Sequence, residues 1–216
     1  MGSIIIMVGR VITSDACVAE GAAYLADLEP KFAYALEKTG PLPSRLRKDG
    51  FDAVLSAIVS QQISVSAAAS IWKRLEEGGM TTPDAILAAT DDELRSFGLS
   101  CPKVKYARAL SESNIDFKAL SMCPNWDVIE TLIKVKGVGR WTAEIYAMFS
   151  LGRADVFAAN DLALQEAVRI LFELPDRPKE KELAEMAKAW SPWRAVAARL
   201  LFRYYHVVKD REGIRT

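Results

Sequence analysis

The chain has 216 residues, of which 28 are basic and 28 acidic, so its formal net charge is zero. Half of the residues are hydrophobic, enough for one large core or two small lobes without disulfide or metal staples. No run approaches the roughly 18 apolar residues of a membrane span. "SIIIMV" near the start is too short for a secretory h-region, and an acidic segment follows it. These features point to a soluble intracellular protein, cytoplasmic if the source is bacterial. Cys17, Cys101 and Cys123 are odd in number, scattered and without a CxxC pair, which favours ordinary reduced thiols. His206 is the sole histidine, so a zinc site is disfavoured.

Taken in order, nearly every segment has a period near 3.6 with helix punctuation. Asp15 opens an alanine-rich stretch that Pro30 interrupts, and a second helix runs to about Lys38. Residues 51–62 form an expected helix with its apolar face at Val54, Leu55, Ile58 and Val59. Ser64 is placed to cap the next helix, to Glu77, and Thr82 caps another with Pro83 at its first position. "DDELRSFG" is a short helix stopped at Gly98, and Pro102 sits in the first turn of the one after it. Asn125 is placed to cap a helix through Lys134, followed by a glycine turn and a helix over about 140–149. After an irregular "LGRADVFAAN", helices are expected over about 161–172, 179–190 and 192–208. Apart from a doubtful strand at "SIIIMV", no strand pattern is found. The reading is an all-α fold of about ten helices.

A neutral total argues against a nucleic-acid partner, but the distribution is uneven. Residues 15–37 carry five acids and one lysine, whereas 131–141 carry Lys134, Lys136 and Arg140 with no acid. Residues 191–209 carry Arg194, Arg199, Arg203 and Lys209, again with no acid. A neutral protein with a basic face still binds a polyanion, because the local field matters. The stretch "KVKGVGRWTAE" joins two helices through G-V-G. From G-x-G alone a plain helix–helix connection with a C-cap glycine is the favoured reading; the other is that glycine permits close approach and opens a helix N-terminus as a phosphate site. In the second case Lys136, Arg140 and Thr142 add charge and a hydroxyl.

The wider context decides between these. "LIKVKGVGRWTAEIYAMF" resembles the helix–hairpin–helix element of DNA repair glycosylases. "ADVFAANDLALQEAV" resembles the loop and aspartate that follow it in that superfamily. "AIVSQQISVSAAASIW", "GLSCPKVKYARALSE" and "WSPWRAVAARLLFRYY" also fit, so the resemblance covers about 51–205. Within the superfamily the likeness is to the bacterial 3-methyladenine DNA glycosylase II group, which acts in alkylation repair. The resemblance implies two helical lobes flanking a DNA-binding cleft. One lobe covers about 52–149 and holds the hairpin, and the other combines 1–51 with 150–216. It implies base flipping, release of alkylated purines such as 3-methyladenine from double-stranded DNA, and action as a monomer.

It also assigns roles. Breaking the bond between base and sugar builds positive charge on the sugar, which a carboxylate stabilises. That role falls to Asp161, whose alternative is an N-cap aspartate without catalytic part. Asn160 stands where some relatives carry a second acid, and Asp155 is a weaker candidate. Lys136, Gly137, Val138, Gly139, Arg140 and Thr142 would meet the DNA backbone. Trp141, Ile145, Phe202 and Gln61 would line the base pocket, with Ile145 where some relatives have tyrosine. Gln62 would be the wedge filling the gap left by the flipped base. Strand-cutting relatives place a Schiff-base lysine after the G-x-G-Arg run. Trp141 occupies that place, so the resemblance implies a monofunctional enzyme. The cysteine loop that holds an iron–sulfur cluster in some relatives is missing, and no cofactor is expected to be required. A structural Na⁺ or K⁺ at the main-chain carbonyls of Ile133, Val135 and Val138 is implied by the likeness alone. Trp190, Trp193, Tyr204 and Tyr205 are expected to pack as core or cleft wall. Two rival readings are a non-catalytic helix–hairpin–helix DNA-binding module and an all-helical protein-interaction domain.

Overall fold

The computed structural model describes residues 8–211. Among them thirteen α-helices and one 3-10 segment follow in chain order. These are α1 Asp15–Leu28, α2 Pro30–Thr39, α3 Phe51–Ser60, α4 Val65–Glu77, α5 Pro83–Ala88 and α6 Asp91–Ser96. Next come α7 Cys101–Glu112, α8 Phe117–Leu120, α9 Asn125–Ile133 and α10 Arg140–Phe149. Last are α11 Leu162–Phe172, α12 Glu180–Ala187, the 3-10 segment Lys188–Trp190 and α13 Arg194–Arg211. No strand forms among the described residues, and a single antiparallel bridge joins Val11 to Arg153. The fold is all-α. The "SIIIMV" stretch, apart from Val8, lies outside the described residues.

Side-chain caps set many of the helix starts. Ser64 accepts from the Ala67 amide, and Thr82 accepts from Ala85 ahead of Pro83. Thr90 and Glu93 complete a reciprocal capping box. Some limits differ from the sequence expectation. Asn125 does not cap; Pro124, with φ −56° and ψ 155°, takes the cap position and Asn125 becomes the first helical residue. α3 stops at Ser60, because Gln61 turns extended and Gln62 adopts a left-handed φ of 60°. α8 was not foreseen; Asp116 caps it by accepting from Ala119. The expected 179–190 helix passes into the 3-10 segment, and α13 begins at Arg194 and runs to Arg211.

The chain divides into two compact units, one Arg47–Tyr146 and the other Val8–Leu46 with the chain from Ala147 onward. The division falls at Arg47 and inside α10, a few residues from the expected limits of 52 and 149. In the first unit α3 packs on α4 and α7, and α5 and α6 also pack on α7. Val54, Leu55, Ile58 and Val59 of α3 are fully buried, each contributing about 1.5–3 kcal/mol of apolar burial. In the second unit α13 packs on α1, α2 and α11. Trp190 is buried among Phe32, Phe157 and Phe172. Arg199 is buried as well, 3% exposed, and donates to the carbonyls of Ser44, Ala195 and Met148. Burial, then the nearby charge of Arg45, lowers its pKa to about 10, which leaves it charged at neutral pH. It is a core tie and not part of a basic outer face, because burying a cation demands that its donors be satisfied.

Candidate nucleic-acid interface and base pocket

The glycine turn is built by α9 ending at Ile133 and α10 starting at Arg140. Val135 donates to the Leu132 carbonyl and Val138 donates to the Val135 carbonyl, both at 3.0 Å. Gly137 has φ +94°, and a Cβ there would overlap the Tyr106 ring. Gly139 is exposed, and a Cβ on it would meet nothing within 4 Å. The two glycines therefore do different work. Gly137 supplies a left-handed backbone and admits Tyr106, while Gly139 leaves the outer side of the turn open. Ala143 donates to the Gly139 carbonyl at 3.0 Å, so the amides ahead of it are the donors of a helix start.

Of the side chains expected to meet the DNA backbone, Lys136 is exposed beside the turn. Three others are placed differently. Val138 is buried and its N–H is spent on Val135, so it is an anchor of the turn. Thr142 is 4% exposed; it lines the cavity described below. Arg140 is paired with Glu130 at 2.9 Å and lies 4.0 Å from Glu144, with its guanidinium 5.7 Å from the centroid of the exposed Trp126 ring. The acid-free segment 131–141 thus has an acid just beyond each end, and both reach its arginine.

A cavity of about 320 Å³ lies in the same unit. Trp141, Thr142 and Ile145 of α10 line it together with Ala57, Ser60, Gln61 and Gln62 from the end of α3. Trp141 is 41% exposed, so an aromatic face is offered to a ligand as well as to the protein. The structure brings together three expected pocket residues, Gln61, Trp141 and Ile145, with the expected wedge Gln62. Gln61 Nε2 donates to the Gly137 carbonyl at 3.0 Å. Arg47 also lines this cavity; it sits in the irregular "PLPSRLRKDG" stretch, where no periodic signal marks it.

Asp161 and Phe202 belong to the second unit. Asp161 is the N-cap of α11, with one carboxylate oxygen accepting from Ala163 at 2.8 Å and Leu164 at 3.1 Å. The capping role weighed from sequence is thus present, and a single oxygen performs it. Gln165 steadies the preceding loop by donating to the Ala159 carbonyl at 2.9 Å. Asp155, the weaker candidate, is clasped by Arg194 at 2.6 and 3.1 Å and by Ser191 at 2.9 Å. Burial raises its pKa, but the Arg194 and Ser191 contacts outweigh this and hold it below the ordinary value. Asp155 is therefore a structural ion-pair partner. Phe202 is half-buried on α13. Trp193 and Tyr204 are buried, and His206 is exposed beside the Tyr205 ring. A larger, apolar cavity of about 1020 Å³, walled by α1, α2 and residues 40–43, contains none of the expected site residues.

No group of three or more His, Cys, Asp or Glu among the described residues is arranged to hold a metal ion. No helix among them is long and apolar enough to cross a membrane.

Residues 55–193 match the family described as "HhH-GPD superfamily base excision DNA repair protein". The DNA-3-methyladenine glycosylase 1 of Schizosaccharomyces pombe is 27% identical over 206 residues, covering 90% of this chain and 89% of that one. The crystal structure of a DNA-3-methyladenine glycosidase from Bacillus halodurans superposes with a TM-score of 0.77 at 30% identity, covering 93% of this chain and 94% of that one. A Schizosaccharomyces pombe 3-methyladenine DNA glycosylase in complex with abasic DNA superposes with a TM-score of 0.74 at 27% identity, covering 84% of this chain and 95% of that one. With a family match over more than half of its length, on a turn and helix order built as described, the chain belongs to the HhH-GPD superfamily of base excision DNA repair proteins.

Proposed function

We propose that this DNA glycosylase hydrolyses the N-glycosidic bond of alkylated purines such as 3-methyladenine in double-stranded DNA. The base is flipped out, and an abasic site is left. The observation that carries the substrate class is the cavity of about 320 Å³ walled by the partly exposed Trp141. A purine methylated at N3 or N7 is cationic, and stacking on an electron-rich ring favours it by about 0.5–2 kcal/mol. Such a base is also a good leaving group, so tolerant recognition suffices. The names of the relatives support the same class.

In this reading Asp161 stabilises the sugar cation and orients or deprotonates the attacking water. One of its oxygens caps α11 and fixes the carboxylate in place. Gly139 and the start of α10 meet a phosphate, with Lys136 adding charge. Gln62 fills the gap in the stack. Trp141 stands where a strand-cutting enzyme carries its Schiff-base lysine, which supports base release without strand cleavage. The protein would act as a monomer. Main-chain carbonyls of Ile133, Val135 and Val138 would hold a Na⁺ or K⁺; the Val135 carbonyl already accepts from Val138, and its second lone pair remains for an ion.

The test is base release from methylated duplex, with undamaged duplex as control, for the parent and Asp161→Asn. The amide oxygen of asparagine still caps the helix, so fold and DNA binding are kept while release falls by about two orders of magnitude or more. Near-parental single-turnover release by Asp161→Asn sinks the catalytic assignment. A parent that binds DNA but releases nothing is a non-catalytic helix–hairpin–helix module.

A further inference from the structure

Three observations converge on residues 59–62, the last two residues of α3 and the two that follow it. The Val59 carbonyl accepts from Lys103 Nζ at 2.6 Å, and Lys103 is only 8% exposed. Two residues later, Gln61 donates its side-chain amide to the Gly137 carbonyl at 3.0 Å, across to the glycine turn. Gln62 then holds a left-handed φ of 60° without being glycine. A residue in that region is strained and persists only where its surroundings over-determine it. Here they do so from two sides. Lys103 and Tyr106 lie three apart on α7, hence on one face. Lys103 grips the carbonyl before the loop, and Tyr106 packs against Gly137, whose carbonyl Gln61 binds.

We propose that Gln61 is a positioning residue that couples the phosphate-gripping turn to the Gln62 wedge. In this role α7, through Lys103 and Tyr106, is the common brace. The proposal rests on the glycosylase reading above and deepens it. Gripping a phosphate at the turn fixes Gly137, and Gly137 fixes Gln61. The residue next to it is thereby presented to the stack at a set height and angle. Because the Gly137 carbonyl only accepts, the donating end of the Gln61 amide is committed to it. Lys103 contributes a buried cation at the C-terminal end of α3, where helix carbonyls and the dipole favour positive charge. Burial lowers its pKa, so the site holds that charge at a cost that an ordinary surface lysine would not bear.

The experiment separates coupling from pocket contact by lowering the cost of base extrusion. Single-turnover release at saturating enzyme is measured on one alkylated purine in two duplexes. In one the lesion is paired; in the other it lies opposite an abasic site, where its pairing is already lost. Gln61→Leu keeps the bulk and loses the bond to Gly137. Lys103→Met loses the grip on Val59 from the other side. Both variants should release the paired lesion about fivefold or more slowly than the parent, the scale of one hydrogen bond. Lys103→Met, which lies outside the pocket, should come within about twofold of the parent on the unpaired lesion and bind undamaged duplex with parental affinity. Gln61→Leu, whose side chain also lines the cavity, should lose several-fold more on the paired lesion than on the unpaired one. Equal loss on both duplexes for Gln61→Leu would make it a pocket contact and overturn the coupling. So would parental release of the paired lesion by either variant, provided its melting temperature is parental. A parent inactive on both duplexes overturns the glycosylase reading itself, and this proposal with it.

Discussion

Replacing Gly137 by alanine isolates what the turn costs to build. The new Cβ would overlap the Tyr106 ring, and the backbone would have to hold alanine at φ +94°. A non-glycine residue in that region costs about 1–3 kcal/mol, and overpacking a well-filled contact costs about 1–3 kcal/mol more. The sum is about 2–6 kcal/mol. For a chain of this size each kcal/mol moves Tm by about 2–4 °C, so a drop of about 4–24 °C is expected. Gly139→Ala is the internal control: its Cβ meets nothing within 4 Å, so stability should stay within about 0.5 kcal/mol. Its loss should appear only in DNA binding, on damaged and undamaged duplex alike, since phosphates are common to both. Thermal and urea unfolding with salt-controlled binding measures both. Adding Tyr106→Ala to Gly137→Ala should recover only part of the loss, because the ring overlap is then gone while the Cβ of residue 106 still stands 2.6 Å from the new Cβ. Parental stability of Gly137→Ala refutes the reasoning, as does a destabilised Gly139→Ala that binds normally.

Arg140→Ala should reduce the salt slope of DNA binding by less than the full unit expected of an unpaired phosphate contact, because Glu130 competes for the guanidinium at 2.9 Å; a loss of a whole unit or more would show the pair yields completely. Borohydride treatment during turnover should trap no covalent enzyme–DNA adduct, and a specific adduct would show an amine acting in the place of the missing lysine. Asp155→Asn should lower Tm at neutral pH. The pKa of Asp155 is depressed in the folded state, so its contribution is present above the ordinary carboxylate value of about 4 and is lost as pH falls below it. The difference in Tm between variant and parent should therefore shrink on acidification, and a difference that grows would reverse the assignment.

Local chemistry was the legible part. Ser64, Thr82 with Pro83, and the glycines at 137 and 139 announce their roles within three or four residues, because caps and turns are short-range. The pocket set Gln61, Gln62, Trp141 and Ile145 could be named only through family likeness, since its members come from segments about eighty residues apart. Pairings that depend on how helices cross were hidden. Glu130 and Arg140 meet only once the turn folds α9 back beside α10; Glu144, four residues after Arg140, was the available hint. Arg199 read as part of a basic face, yet Ala195, Val196, Ala197, Ala198, Leu200 and Leu201 are all buried. An arginine within an apolar run of that length signals a core tie. Lys103 was missed for the same reason, being one step from Val104 on the buried side of α7.

The order in which the units are drawn from the chain matters while the protein is being made. Among the described residues the unit Arg47–Tyr146 is continuous, and all of it has left the ribosome soon after Tyr146 does. The other unit is not: α2 packs on α13, and about 155 residues separate the end of α2 at Thr39 from the start of α13 at Arg194. At about 5–20 residues per second of synthesis, Phe32 and Ala35, both fully buried in the finished protein, wait roughly 8–30 seconds for that partner. The nascent chain therefore carries an uncovered apolar helical hairpin through most of its elongation. This makes α1–α2 the segment on which a chaperone has the longest opportunity to act.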